Sequence, residues 1–263
     1  VFNVGAAIAT LCAAAGVTKQ GLIKMENIQC EELSVGSGLT VRIQVSSQGN
    51  TMNFDLKPDN HTTVAKTQVT YADEVQLPKK DITQIQNEYE KFAGGDLFYD
   101  ELDQKGNRYG PYFRIFRQVA FSSSGAFGYY NLSIATPDRG AAHPGIWQGI
   151  FQLIAFVGNV PTARCHIRLV TMDGTPSQQG YIQVIKNVDD SWTAFVINEK
   201  GKVSVCAEEV ATAKNELHAL ERFFYKPLWR AHSRVNDLPV QNNHVPKNIL
   251  IVYPQSANEI KEQ

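Results

Sequence analysis

Two stretches decide the reading: Tyr109-Gly110-Pro111-Tyr112-Phe113 and His143-Pro144-Gly145-Ile146-Trp147-Gln148-Gly149-Ile150-Phe151-Gln152. In the first, Gly110-Pro111 sets a turn, and aromatic residues flank it on both sides. In the second, Pro144 suits the first position of a helix. The apolar run Gly145 to Val157 continues that helix, and Gly158-Asn159 followed by Pro161 closes it. Gln148 and Gln152 stand four residues apart and so share one face. A glutamine amide donates and accepts hydrogen bonds, but it does not ionise and cannot serve as a general acid.

Outward from these segments the chain alternates strand and helix signals. Residues 4 to about 16 are rich in alanine, apolar on every face and ended by Gly16, which predicts a buried helix. Strand-like alternation follows at 23–33, 39–45, 52–56 and 62–71, with Gly49-Asn50 as a hairpin turn. Residues 74–92 are polar and read as a linker with some helical character. Alternation resumes at 113–121 and 128–135. After the second helix it returns at 164–171, 180–187, 192–197 and 202–208, with Asp189-Asp190 at a hairpin tip. Each half thus pairs one wholly apolar helix with short antiparallel strands. The packing solution is an α+β fold, a sheet wrapped round a central helix, built twice. That is a double hotdog. The expected organisation is a first hotdog over 1–73, a linker over 74–95, a second hotdog over 96–215 and an exit segment over 216–263.

Composition excludes several classes. The chain has 263 residues, 43% hydrophobic and 19% charged, with net charge −1, so no global field points to nucleic acid or an anionic membrane. The apolar start is too short to span a bilayer and lacks the basic region of a signal peptide. Cys12, Cys30, Cys165 and Cys206 are scattered, form no C-x-x-C pair, and suit buried packing in a reducing cytoplasm. His61, His143, His166, His218, His232 and His244 have no zincin-like spacing, so no metal site is expected. Gly-rich phosphate loops and G-x-S-x-G elbows are absent from the sequence.

The two opening segments resemble signature segments of the second half of a polyketide synthase dehydratase domain. Gly106-x-x-Tyr109-Gly110-Pro111-x-Phe113 matches the family's Y-G-P-x-F segment, and His143, Pro144 and Gln152 match H-P-x-x-x-D-x-x-x-Q. The departure is Gln148, which stands at the family's catalytic Asp. In the family a His of the first hotdog removes the α-proton of a β-hydroxyacyl thioester and the Asp protonates the leaving hydroxyl. Aligning Gly5 to Ile8 with the segment after the first-hotdog motif puts Val4 at its proline, so the catalytic His is expected upstream of Val1.

The resemblance implies Gln148, Gln152 and Tyr109 as the catalytic positions. Gly110, Pro111, Phe113, His143 and Gly145 are implied as substrate-binding positions. It also implies no resident cofactor, a substrate carried on the phosphopantetheine of an acyl carrier protein, ketosynthase and ketoreductase neighbours, and a homodimer. Residues 220–230 and 248–253 resemble the exit toward the structural half of a ketoreductase. With an amide in place of the acid, the expected activity is an enoyl isomerase that moves a double bond from α,β to β,γ without dehydration. The alternatives are a dehydratase with a relocated acid, and a non-catalytic or chain-branching scaffold.

Overall fold

The computed structural model describes residues 4–18, 22–31, 41–48, 50–58, 63–72, 76–132, 143–160, 162 and 164–213. The expected exit segment, and His61, His218, His232 and His244, lie outside the described residues. The first half opens on helix α1 (Val4–Thr18), followed by strands β1 (Leu22–Glu31), β2 (Val41–Gln48), β3 (Thr51–Pro58) and β4 (Ala65–Ala72). The second half holds α2 (Ile82–Asn87), β5 (Lys91–Gly94), α3 (Gly95–Gln104), a short 3-10 turn (Pro111–Phe113), β6 (Phe116–Ser122) and β7 (Gly125–Asn131). Helix α4 (Pro144–Gly158) comes next, then β8 (Arg164–Met172), β9 (Gln179–Lys186), β10 (Trp192–Ile197) and β11 (Val203–Ala213).

The strands form one continuous antiparallel sheet in the order β2-β3-β4-β1-β8-β11-β10-β9-β7-β6-β5. The two halves meet where β1 pairs β8, from Ile23 opposite Met172 to Glu31 opposite Arg164. Both strands directly follow a 15-residue apolar helix. The helices lie against each other inside the curve of the sheet, and this is the double hotdog.

Alternation decides which side chains enter the core. In β4, Ala65, Thr67 and Val69 are buried, and in β3 Phe54 and Leu56. In β1 the buried set is Ile23 and Met25, then Ile28 and Cys30, so the phase slips by one residue. Asn27 absorbs the slip with φ 53, where the β1–β4 register also shifts. Glu209, φ 51, does the same in β11 between buried Ala207 and Val210.

The stretch expected as a linker holds α2 and β5. Asp81 caps α2 by accepting from the Thr83 and Gln84 N–H groups at 2.9 and 3.1 Å. Ile85 and Tyr89 then pack with Phe127, Phe195, Ile197 and Val203, and Lys80 Nζ sits 4.0 Å over the Phe195 ring. This segment therefore covers the sheet face turned away from the central helices, with β5 ending the sheet beside β6.

The helix pair itself is set by Gly5. A Cβ there would stand 2.6 Å from the Gln148 backbone nitrogen and 2.9 Å from its Cα. In an exposed helix Gly→Ala stabilises by roughly 1 kcal/mol. Here Gly5→Ala is expected to destabilise by about 1–3 kcal/mol, because the two backbones must separate. Urea unfolding reads the sign directly, and a higher midpoint for the variant would refute the close-packed seam.

Candidate active site

Helix α4 carries the residues singled out by the sequence. His143 is its N-cap: the imidazole Nδ1 accepts from the Gly145 N–H at 2.9 Å, and Pro144 occupies the first turn. Asn159, φ 49, ends the helix in the left-handed conformation. His143 and Gln148 are buried, 6% and 4% exposed.

Gln148 points across the seam. Its Oε1 accepts from the Gly5 N–H in the first turn of α1, at 3.3 Å. One orphan backbone donor of α1 is thereby satisfied by a side chain of the other hotdog. Gln152 is fully buried one turn on, and its hydrogen bonds lead elsewhere. Nε2 donates to the Phe113 carbonyl at 2.9 Å, and Oε1 accepts from the Tyr99 hydroxyl at 3.2 Å. The same hydroxyl accepts from the Phe116 N–H at 3.1 Å. Burial pushes the Tyr99 phenol well above its usual range, so it acts as a neutral hydrogen-bonding group.

The turn segment is held from the same side. Phe113 N–H donates to the Gly110 carbonyl at 2.9 Å, closing the 3-10 turn begun by Pro111. Arg114 Nε donates to the Tyr109 carbonyl at 3.0 Å, and its far nitrogen lies 3.3 Å from Asp103. Tyr109 is half-buried against the main core, while Gly110 and Pro111 are exposed. Tyr112 packs against His143 with the rings tilted by 34° and their centroids 4.6 Å apart. The structure therefore brings the Y-G-P and H-P segments into contact, with Gln152 and Tyr99 as the link beneath them.

The protonation of His143 follows from its surroundings. Burial pulls its pKa below the ordinary histidine value, so the ring is neutral at neutral pH. Nδ1 accepts a backbone N–H, so the ring proton sits on Nε2. Among the described residues that buried Nε2 has no hydrogen-bond partner, and neither has buried Nε1 of Trp147, four residues along α4.

Other chemistries lack their groups among the described residues. No set of three or more His, Cys, Asp or Glu could hold a metal ion. All four cysteines are buried free thiols. Burial raises the thiols of Cys12 and Cys30 well above their ordinary range and pushes Cys206 up to about 11, which keeps them protonated and poorly nucleophilic. His166 is exposed on β8. No described helix is long and apolar enough to cross a membrane. Tyr99, Trp147, Arg114 and Gly5 are the neighbours that sequence reasoning missed. Trp147 alone left a signal, lying four residues from His143 on the same helix.

Neither a family model nor a curated protein matches the sequence. The structural neighbours are dehydratase domains of polyketide synthases. An inactive mutant of CurJ dehydratase in complex with a compound superposes with TM-score 0.71 at 16% identity, over 84% of this chain and 85% of that one. A trans-AT polyketide synthase dehydratase domain from Brevibacillus brevis gives 0.72 at 13%, over 81% and 85%. An inactive Asp-to-Asn mutant of CurK dehydratase gives 0.69 at 17%, over 81% and 84%. The shared property is the fold, the double hotdog of these dehydratase domains.

Two measurements test the site's architecture. Gln152→Leu leaves the Tyr99 hydroxyl and the Phe113 carbonyl to pair with each other at 3.3 Å, each with one bond fewer, and is expected to cost about 1–2 kcal/mol. A double-mutant cycle with Tyr99→Phe should show that the two losses are not additive. The second uses pH. Unfolded histidine titrates near 6.5 and His143 lower when folded, so the unfolded chain takes up the proton first. The His143 contribution is complete above about pH 6.5 and declines as pH falls toward the folded pKa. His143→Asn should flatten that part of a stability–pH curve measured by urea midpoint.

Proposed function

We propose that the chain is the dehydratase-like domain of a modular polyketide synthase, and that it isomerises a carrier-bound enoyl thioester from α,β to β,γ without releasing water. The observation that carries this reading is Gln148, a buried amide at the family's acid position, engaged with Gly5.

Dehydration needs a proton for the departing hydroxyl, because hydroxide is a poor leaving group. A positioned general acid is worth on the order of 10² to 10⁴ in rate. Gln148 supplies no proton, and no Asp or Glu among the described residues is buried. The neighbouring CurK dehydratase is inactive as an Asp-to-Asn mutant, a carboxylate-to-amide change of the same kind. Isomerisation asks for less. One base takes a proton from the γ-carbon, a dienolate forms, and the proton returns at the α-carbon. Substrate and product are isomers, and no leaving group departs. The base is the His expected ahead of Val1, by resemblance to the family.

In this reading Gln152 and Tyr99 hold the turn segment, and Tyr109, Gly110, Pro111, Phe113, His143 and Gly145 flank the acyl chain. The partners are an acyl carrier protein with its phosphopantetheine arm, ketosynthase and ketoreductase domains of the same cytoplasmic synthase, and a second copy of the domain.

The test supplies the parent module with an α,β-enoyl chain on its carrier protein in D₂O. The expected outcome is a β,γ product, with deuterium at the α-carbon only to the extent that the base exchanges its proton with solvent before returning it, and no reaction of the corresponding β-hydroxyacyl chain. Loss of water from the β-hydroxyacyl chain would make the domain a dehydratase. Inertness toward both substrates would make it a scaffold.

A further inference from the structure

A dienolate, or the thioester carbonyl from which it forms, needs hydrogen-bond donors at its oxygen. In a double hotdog the free N–H groups at the start of a central helix are the obvious source. Here several are already taken. The Gly5 N–H donates to Gln148, and those of Gly145 and Ile146 both donate to His143, to Nδ1 and to the backbone carbonyl.

Two other donors remain. Among the described residues, His143 Nε2–H and Trp147 Nε1–H are each buried and each without a hydrogen-bond partner. Folded proteins pair nearly all such groups, because leaving one unmade costs the full desolvation of that group. Both belong to the same end of α4. His143 is the cap, and Trp147 follows one turn later on the same side. His143 is only 6% exposed, with one ring nitrogen fixed on the Gly145 N–H, so the other points away from the helix. Tyr112 covers the ring and ties this corner to the turn segment. A neutral imidazole with its proton on Nε2 is a donor and not a base, and an indole only donates. The missing partner is therefore an acceptor.

We propose that His143 Nε2–H and Trp147 Nε1–H form the binding site for the carbonyl oxygen of the thioester-linked acyl chain. This rests on the acyl-thioester reading above and adds the residues that grip the substrate. His143 thereby has two separable roles, a helix cap through Nδ1 and a substrate donor through Nε2.

Asparagine separates them. His143→Asn keeps a strong helix-capping oxygen and removes the distal donor. Trp147→Phe keeps an aromatic ring and removes the indole N–H. The probe is a crotonyl-pantetheine amide, in which nitrogen replaces the thioester sulfur, with pantetheine alone as reference. Each substitution is expected to weaken crotonyl-pantetheine amide about tenfold and pantetheine hardly at all. The thermal midpoint of His143→Asn should stay within a few degrees of the parent at about pH 7.5, where His143 is neutral in both states. In ¹H–¹⁵N spectra one of the three indole signals, identified by its loss in Trp147→Phe, should move downfield when the probe binds.

Binding of the probe that is indifferent to both substitutions, or an unmoved Trp147 signal in the bound protein, overturns the donor assignment and leaves the isomerase reading standing. Equal weakening of probe and pantetheine also overturns it. Failure of the parent protein to bind the probe at all removes the acyl-thioester reading and this proposal with it. Donor-dependent binding without any double-bond shift keeps the site and refutes the isomerase.

Discussion

The contact between Gly5 and Gln148 constrains the rest of the molecule. Without a Cβ at Gly5 the two central helices approach until one backbone nearly touches the other. That approach brings the first-turn N–H of α1 within reach of a glutamine side chain on α4. Each helix runs directly into a strand, and those strands, β1 and β8, pair over their length. Helix seam and strand seam are two layers of one joint. The apolar faces of α1 that do not meet α4 are covered by β1, β3 and β4, which is why Val4, Ala7, Ile8, Leu11, Cys12 and Ala15 are all buried.

This joint bears on the chemistry at position 148. A carboxylate placed there would face a backbone N–H at the positive end of a 15-residue helix. Hydrogen bonding and the helix dipole both favour its ionised form, while burial favours the protonated one. An acid at this position must therefore be kept protonated against its nearest donor. A glutamine accepts the same N–H without any such conflict, and holds the seam equally well at every pH. A glutamine here offers no proton and makes the structural bond. The double-hotdog seam therefore needs no ionisable group at this position.

The central helices and most strands are legible in the sequence, because burial leaves a period. Legibility is poorest where the period breaks or where polarity hides structure. The strand expected at 202–208 stops short of the observed end at Ala213 because Glu209 shifts the alternation by one residue. A bulge looks like a strand end to any period-two reading. Helix α3 is hidden because Asp96, Asp100, Glu101 and Asp103 dominate its composition, although Phe98, Tyr99 and Leu102 form a buried stripe. The polar stretch before it reads as linker, yet Ile85 and Tyr89 anchor it on the outer face of the sheet. In the site, the pattern of residues 143 to 152 locates the helix and its polar positions. It cannot show that Gln148 reaches Gly5 or that Gln152 reaches Phe113, since those partners lie 143 and 39 residues away in sequence.

Along α4 the side chains divide their labour. The two glutamines, conspicuous in the sequence as polar residues on an apolar helix, make structural hydrogen bonds to other elements: Gln148 to α1, Gln152 to the turn segment and α3. The turn segment is pinned twice, at the Tyr109 carbonyl by Arg114 and at the Phe113 carbonyl by Gln152, so Tyr112 is presented to His143 from a fixed base. Among the described residues, the α4 side chains with unused capacity are the ones whose type is most ordinary in sequence, an N-cap histidine and a core tryptophan. In a closely packed interior, unused donors mark a ligand's place better than the most polar side chains do, because the most polar side chains are usually the first to be satisfied by the fold itself.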